Sequence, residues 1–398
     1  MEMERNKSAA TCASAAAAAV ALVQMSHGGV TPALAVIGAS FANTSEITLA
    51  LLNTMPVLTS IPATFISGKL AGRKLSFRTM MLVGLALLLA GGLSAFFCKS
   101  IGTVLLCRAV FGMGLGISSH AASTFTLCIF SGEKANKQLA LNSLSANLGS
   151  VLFQLAGGYL CLLGWQYTFL CYLIILIPLC IVCLTVKPFY EGEKAEEPQK
   201  EESANKSWSI GRTGYWCGVI FLYYIGFYVF VNNMSQVIVS NGYGTSADVA
   251  WVLAVFNLGG FGGGALYRSR LFKLDAYVFL PSLLLCAAGF GCVLLAENLL
   301  TLYGAAVLFG CGFGIFMPAG LFFGGTSVET AQRSSMVSYL NIANNLGGFS
   351  SAYVLSAISA LLRLRGDMTH FYLGLGIFGL LAVILLAEAV RRTKSKAV

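Results

Sequence analysis

Twelve stretches of this chain, near 10–38, 46–68, 77–97, 102–130, 137–162, 166–186, 213–240, 247–266, 275–296, 299–325, 334–361 and 370–390, are dominated by apolar residues. Each is about 20 residues or longer, the length an α-helix needs to cross a hydrocarbon layer about 30 Å thick. Few folds accept such a pattern. In lipid every backbone N–H and C=O must be satisfied within the segment, so each run has to be helical. Charged residues are 10% of the chain, against roughly 25% in soluble domains, which excludes a soluble globular protein. The first run follows Met1–Lys7 and opens with Ala9–Leu22, in the manner of a secretory leader, but continues past Gln24 and His27 to Ile37. That is too long for a leader's apolar region, and it reads as a retained span.

The second half repeats the first. Phe111-Gly-Met-Gly-Leu-Gly-Ile117 returns as Phe309-Gly-Cys-Gly-Phe-Gly-Ile315, displaced by 198 residues, and Asn147-Leu-Gly149 returns as Asn345-Leu-Gly347 at the same displacement. Six spans per repeat preserve orientation. The expected fold is therefore an all-α membrane protein: twelve transmembrane helices in two parallel six-helix pseudo-repeats, residues 1–186 and 213–398. Parallel repeats about an axis normal to the membrane are a transporter arrangement, with the solute site near the midplane. Between them, 187–212 interleaves six glutamates with lysines. Such a segment buries little apolar surface and is expected to be a cytoplasmic linker.

Charge placement tests the span count separately. With the N-terminus inside, 21 of the 25 Lys and Arg fall on the inner side, against Lys99, Arg363 and Arg365 outside and Arg108 within a span. Cytoplasmic loops carry such an excess. The expectation is a multi-pass protein of the cell (plasma or inner) membrane with both termini cytoplasmic; Arg363 and Arg365 run against it without a physical account. The net charge of +9 then reflects orientation and contact with anionic lipid, not nucleic-acid binding. Trp165, Trp216 and Trp251 fall near helix ends, as interfacial aromatics do. The twelve cysteines form no framework. Cys180-x-x-Cys183 has no second pair or histidine beside it, so a buried apolar role is expected, with no metal site and no cofactor. No nucleophile–base set or phosphate loop marks an enzyme or a primary pump.

Arg108 is the costliest residue in the sequence. A charge at a bilayer centre costs about 2.5–3.5 kcal/mol on insertion scales, which makes it a functional candidate by default. Gly112, Gly114 and Gly116 follow it and strip one helix face for close packing. Arg108 also lies about five residues into its helix, roughly 7.5 Å, from where it could snorkel to the outer head groups. Both readings stand at this stage. The other candidates are polar residues within spans: Gln24, His27, Asn53, Ser118, His120, Asn147 and Gln154 in the first half, and Tyr224, Asn232, Asn233, Gln236, Asn257, Asn341, Asn344 and Asn345 in the second. Polar groups avoid lipid, so as a set they imply a polar cavity, although any single Asn can equally bond a neighbouring helix. Of the sixteen Asp and Glu, Glu46 and Glu388 lie against span ends and none lies near a span centre. A proton-coupled carrier would then titrate at His27 or His120.

These motifs, in this order, resemble the major facilitator superfamily, in its bacterial twelve-helix form, over nearly the whole chain. Arg108 with Gly112, Gly114 and Gly116 resembles the family's helix-4 motif. Gly68-Lys-Leu-Ala-Gly-Arg73-Lys74 resembles the loop motif G-x-L-A-D-R between helices 2 and 3, and Gly264-Ala-Leu-Tyr-Arg268 its worn copy between helices 8 and 9. Gly164-Trp-Gln-Tyr-Thr-Phe169 resembles Gly-Trp-Arg-x-x-Phe at the start of helix 6. Two departures matter. Gly72 stands where the loop motif has Asp, with Leu75-Ser76 in place of Gly-Arg, so the inner charge relay is incomplete. In helix 5 Phe153-Gln154 replaces the Gly-Pro of the antiporter motif between Gly149 and Gly157-Gly158, which weakens an export reading.

The resemblance implies a secondary transporter that moves a small organic solute by alternating access. It assigns Gly68, Arg73, Lys74, Arg108 and the helix-4 glycines to motif or coupling roles. Proton-linked export by a monomer is the leading expectation; proton-linked or facilitative uptake is the alternative. A different class, a non-transporting sensor or assembly partner on the same fold, is favoured only by the degraded loop motif.

Overall fold

The computed structural model describes residues 2–41, 44–72, 74–130, 132–188, 210–269, 271–328, 333–364 and 368–396. Among them the chain is mostly helical, with short turns and loops between the helices. The spans are α1 (Thr11–Ser40), α3 (Phe77–Phe97), α6 (Trp165–Thr185) and α9 (Leu274–Leu294), with α2 (Glu46–Leu70), α4 (Ile101–Ile129) and α5 (Gly132–Cys161). The remainder are α7 (Ile210–Ser240), α8 (Ser246–Ser269), α10 (Leu299–Gly325), α11 (Arg333–Leu361) and α12 (Thr369–Lys396). All but α11 are long and apolar enough to cross a membrane. α11 has the length at 29 residues, but Asn341, Asn344, Asn345 and several serines lower its hydropathy. Most of the charged linker, 189–209, lies outside the described residues, as do Arg73 and Arg365.

The described residues of Met1–Thr44 and Leu51–Lys206 form one compact unit, and those of Ser45–Ala50 and Ser207–Val398 another. Each unit pairs its helices in the same way. In the first, α3 lies along α4 and α1 along α5; in the second, α9 lies along α10 and α7 along α11. The 198-residue repeat extends to local signals. Ser100 caps α4 by accepting from Thr103 N at 3.3 Å, and Asn298 caps α10 by accepting from Thr301 N at 3.0 Å. Both caps satisfy a backbone donor left free by the first helical turn.

The glycines carry the same symmetry into packing. A methyl group added at Gly112 would run into the backbone of Pro56 in α2, and one at Gly310 into that of Phe256 in α8. At Gly114 it would meet Gly84 O at 2.6 Å and Leu88 N at 2.5 Å in α3; at Gly312 it would meet Ser282 O at 2.7 Å in α9. Helices in lipid associate through such close backbone approach because no hydrophobic drive acts between them. Hydrogen bonds across the same seams support it: Thr59 Oγ1 donates to Ala109 O at 3.0 Å, and Ser282 Oγ to Gly312 O at 2.8 Å.

Three expectations are corrected. Cys180 and Cys183 are exposed on α6 rather than buried, because an apolar thiol on a lipid-crossing helix can face outward at little cost. Trp165 and Trp216 sit at helix ends but are buried. Trp165 packs edge-on to Phe41, with ring centroids 4.9 Å apart, and Trp216 lies 5.7 Å beneath the Arg392 guanidinium. Trp251 is the exposed one of the three. The first span, finally, is not a continuous helix, and its break shapes the site below.

Candidate functional site

α1 loses its α-helical pattern near its middle. Val23, Gln24, Ser26 and Gly28 each donate to a carbonyl three residues back, and a 3-10 stretch follows over Ser26–Ala33. Pro32 lies inside that stretch and brings no N–H, so the Gly28 carbonyl has no donor four residues on. Gly28 and Gly29 let α5 close in. A methyl group at Gly29 would meet Phe153 O and Cys171 Sγ at 3.2 Å, and one at Gly28 would meet Gln154 Nε2 at 3.3 Å.

Arg108 fills the space beside this break. It is wholly buried, so it does not snorkel, and the head-group reading is overturned. Its Nε donates to Leu52 O at 2.7 Å, one Nη to Tyr172 OH at 2.6 Å, and the other to His27 O at 2.7 Å. The partners explain why a guanidinium is tolerated. Leu52 lies four residues before Pro56 in α2, so its carbonyl loses its helical donor and receives one from Arg108. His27 O belongs to the 3-10 break. Phe111 and Tyr172 rings lie 4.8 and 5.8 Å from the guanidinium carbon, in cation–π range. One side chain on α4 thereby ties α1, α2 and α6 together. Among the described residues no carboxylate forms an ion pair with it; carbonyl dipoles, a phenol and ring faces compensate the charge.

In the segments that the hub joins, α1 and α6, lie buried hydroxyls without a hydrogen-bond partner, Thr31 Oγ1 and Thr168 Oγ1, and the His27 ring lies beside the Gln24 backbone. Gln154 Nε2 donates to Ser150 Oγ at 3.3 Å, with Gly28 beside it. Buried groups of this kind are uncommon in a packed interior, and each calls for an explanation such as a ligand or a functional role.

The other first-half candidates are dispersed. Ser118 is buried and donates back to Gly114 O at 2.8 Å within its own helix. Asn147 likewise donates to Ser143 O at 2.9 Å. Asn53 is buried on α2, and Gln24 is half-buried in the turn before the 3-10 stretch. His120 has a buried Nδ1 without a partner and packs its ring edge 3.5 Å from where a methyl on Gly68 would sit. Lys74 follows in the loop. Gly72 adopts φ +74° there, a left-handed conformation that glycine takes without strain. The Asp of the family motif is thus replaced by a residue fitted to the turn.

In the second unit the place of Arg108 is taken by Ala306, which is fully buried. Aromatic rings fill the space. Phe309, the counterpart of Phe111, stacks on Phe230 at 4.5 Å and on Phe290 at 5.0 Å, and Tyr223 stacks on Phe316 at 3.6 Å. Tyr224 donates to Met317 Sδ at 3.0 Å. Asn233 and Asn257 each bond a carbonyl four residues back on their own helix. Asn233 and Gln236 also line a small cleft with Asn241 and Met368. Asn232, Asn344 and Asn345 are half-buried and Asn341 is exposed.

Tyr172, the Leu52 carbonyl, Thr31 and Thr168 were not anticipated. Pro56 four residues after Leu52, and Gly28-Gly29 with Pro32, are the signals that could have found the two carbonyl partners.

The sequence matches the family model described as the Major Facilitator Superfamily over residues 16–352. The chain belongs to the Major Facilitator Superfamily. It is therefore an integral multi-pass membrane protein and a transporter of small molecules. Solved structures of the superfamily share its fold. A mutant of the nucleoside transporter NupG is similar with a TM-score of 0.75 at 12% identity, over 94% of this chain and 99% of that one. The peptide transporter POT, as a mutant in complex with alafosfalin, gives 0.72 at 14% identity over 94% and 93%. A bacterial homologue of the human lysosomal transporter Spinster, inward-facing and unoccupied, gives 0.67 at 14% identity over 95% of each chain. No curated protein matches this sequence.

Proposed function

We propose that this superfamily member moves a small organic solute by alternating access and couples the movement to protons through His27 and Arg108. The observation that carries this reading is the Arg108 hub. Three donors of one buried cation hold α1 and α2 at carbonyls that lack a helical donor and α6 at the Tyr172 hydroxyl, so a local change can release several helices together. His27 is placed to cause it: its carbonyl accepts from Arg108 at 2.7 Å, and its ring is buried in the helix break beside the Gln24 backbone. A proton on the ring would put a second positive charge beside the guanidinium. Like charges repel strongly in a low-dielectric interior, and the Arg108 link to α1 would weaken. With no carboxylate among the described residues paired to the hub, the site suits neutral, zwitterionic or anionic solutes. Export is the direction we favour, on the superfamily resemblance alone; monomeric function and cytoplasmic termini belong to the same reading.

The test uses purified protein in proteoliposomes with an internal pH dye and a panel of metabolites and drugs. A solute that moves protons saturably, with the effect lost in His27→Ala and Arg108→Ala, supports the reading. Solute flux that is saturable yet indifferent to pH in wild type and unchanged in His27→Ala would remove the proton step.

A further inference from the structure

Cys98 and Cys107 face each other at one corner of the first unit. Cys98 follows the 3-10 turn Ala95–Phe97 that ends α3, and Cys107 lies two turns into α4. Their sulfur atoms are 3.6 Å apart, and both side chains are half-buried rather than sealed. A disulfide needs about 2.05 Å between sulfurs, so bonding asks for an approach of about 1.6 Å, within reach of small side-chain rotations. Cys98 lies just past the end of its helix, and its Sγ donates to Ser94 O at 3.5 Å besides lying against Cys107.

The loop 98–100 that carries Cys98 is an outward one under the orientation read from the Lys and Arg distribution, and the inference rests on that orientation. Outer compartments sustain disulfides where the cytosol does not. We infer that Cys98 and Cys107 form a disulfide in the native membrane, a covalent clasp between α3 and α4. The chemistry is exchange with a donor disulfide of a thiol–disulfide oxidoreductase. The Cys98 thiolate, in the loop before α4, attacks a donor sulfur and forms a mixed disulfide. The Cys107 thiolate then attacks Cys98 Sγ, and the donor leaves as a dithiol that has taken up two electrons and both protons. The clasp would fix the residue directly preceding Arg108, and so lock the α4 turn that carries the hub.

The experiment uses the full-length protein in cell membranes. Free thiols are blocked with N-ethylmaleimide under denaturing conditions, disulfides are then reduced, and the released thiols are tagged with a polyethylene-glycol maleimide. The expected result is two tags per chain, with none left in Cys98→Ser or in Cys107→Ser. If both residues are blocked before reduction, so that neither takes a tag, the inference is overturned. A membrane-impermeant maleimide on intact cells checks the orientation in a Cys107→Ser background. Labelling of Cys98 supports it, and protection of Cys98 until vesicles are inverted overturns both orientation and clasp. Neither outcome depends on finding a transported solute, so the clasp and the transport mechanism fail or stand separately.

Discussion

The two units build the same corner with opposite chemistry. In the first, Arg108 occupies a buried position on α4 and draws backbone carbonyls and Tyr172 toward it. In the second, 198 residues on, Ala306 leaves that position empty of polarity, and Phe309, Phe230 and Phe290 close it with stacked rings. Around both corners the glycine seams are equivalent: Gly112 against α2 and Gly310 against α8, Gly114 against α3 and Gly312 against α9. Shared glycines therefore account for the fold common to both halves. The cation accounts for what separates them, and its cost is met by helix breaks at Pro56 and around Gly28–Pro32 that have exposed carbonyls to offer.

The sharpest way to break this comparison is to make the second unit imitate the first. Ala306→Arg would bury a charge among aromatic rings with no freed carbonyl on hand, at a cost on the order of 3–5 kcal/mol or outright failure to insert. Expression and monodispersity in detergent should collapse. A well-folded Ala306→Arg protein would show that the site tolerates any cation and that the helix breaks are irrelevant. Next in size is Arg108→Ala, which orphans two carbonyls and a phenol. Its thermal unfolding midpoint should fall by the equivalent of ~2–4 kcal/mol, with transport lost. Arg108→Lys should recover part of the stability and little transport, since a lysine cannot span three partners with a planar fork.

Matched glycine substitutions test the shared part. Gly112→Val and Gly310→Val each push a side chain into a facing backbone, and each should destabilise by about 1–3 kcal/mol, to a similar degree in both units. A large effect in one and none in the other would remove the symmetry of the seams. The smallest change is Tyr172→Phe, which keeps the ring beneath the guanidinium and deletes one hydrogen bond. A loss of about 1–2 kcal/mol in thermal stability is expected, with transport slowed rather than abolished.

Much of the fold was legible because lipid permits so few solutions. Apolar runs of helical length and the 198-residue echo sufficed for the helical architecture; α11 departs in being more polar than its neighbours, and α1 in its 3-10 break. The site was legible in part. Arg108 and His27 stand out in sequence because a charge or an imidazole inside an apolar run is rare. What the sequence concealed is that the His27 side chain is not what Arg108 holds; its backbone carbonyl is. A carbonyl freed by a proline four residues on carries no residue-type signature of its own, which is why Leu52 went unnoticed although Pro56 was in plain view. The asparagines misled in the opposite direction. Asn147, Asn233 and Asn257 each donate an amide N–H to a carbonyl of their own helix, so polar identity inside a span is in part a local backbone bond.

Backbone hydrogen exchange of wild type and Arg108→Lys, measured by mass spectrometry in the same detergent, tests the hub most directly. If Arg108 holds the break in α1, peptides covering Ser26–Ala33 and those around Leu52–Pro56 in α2 should exchange faster in the variant. The α7–α12 peptides should keep their wild-type rates. Unchanged exchange over 26–33, or an equal rise in both units, would contradict the claim that this one cation ties the first unit together.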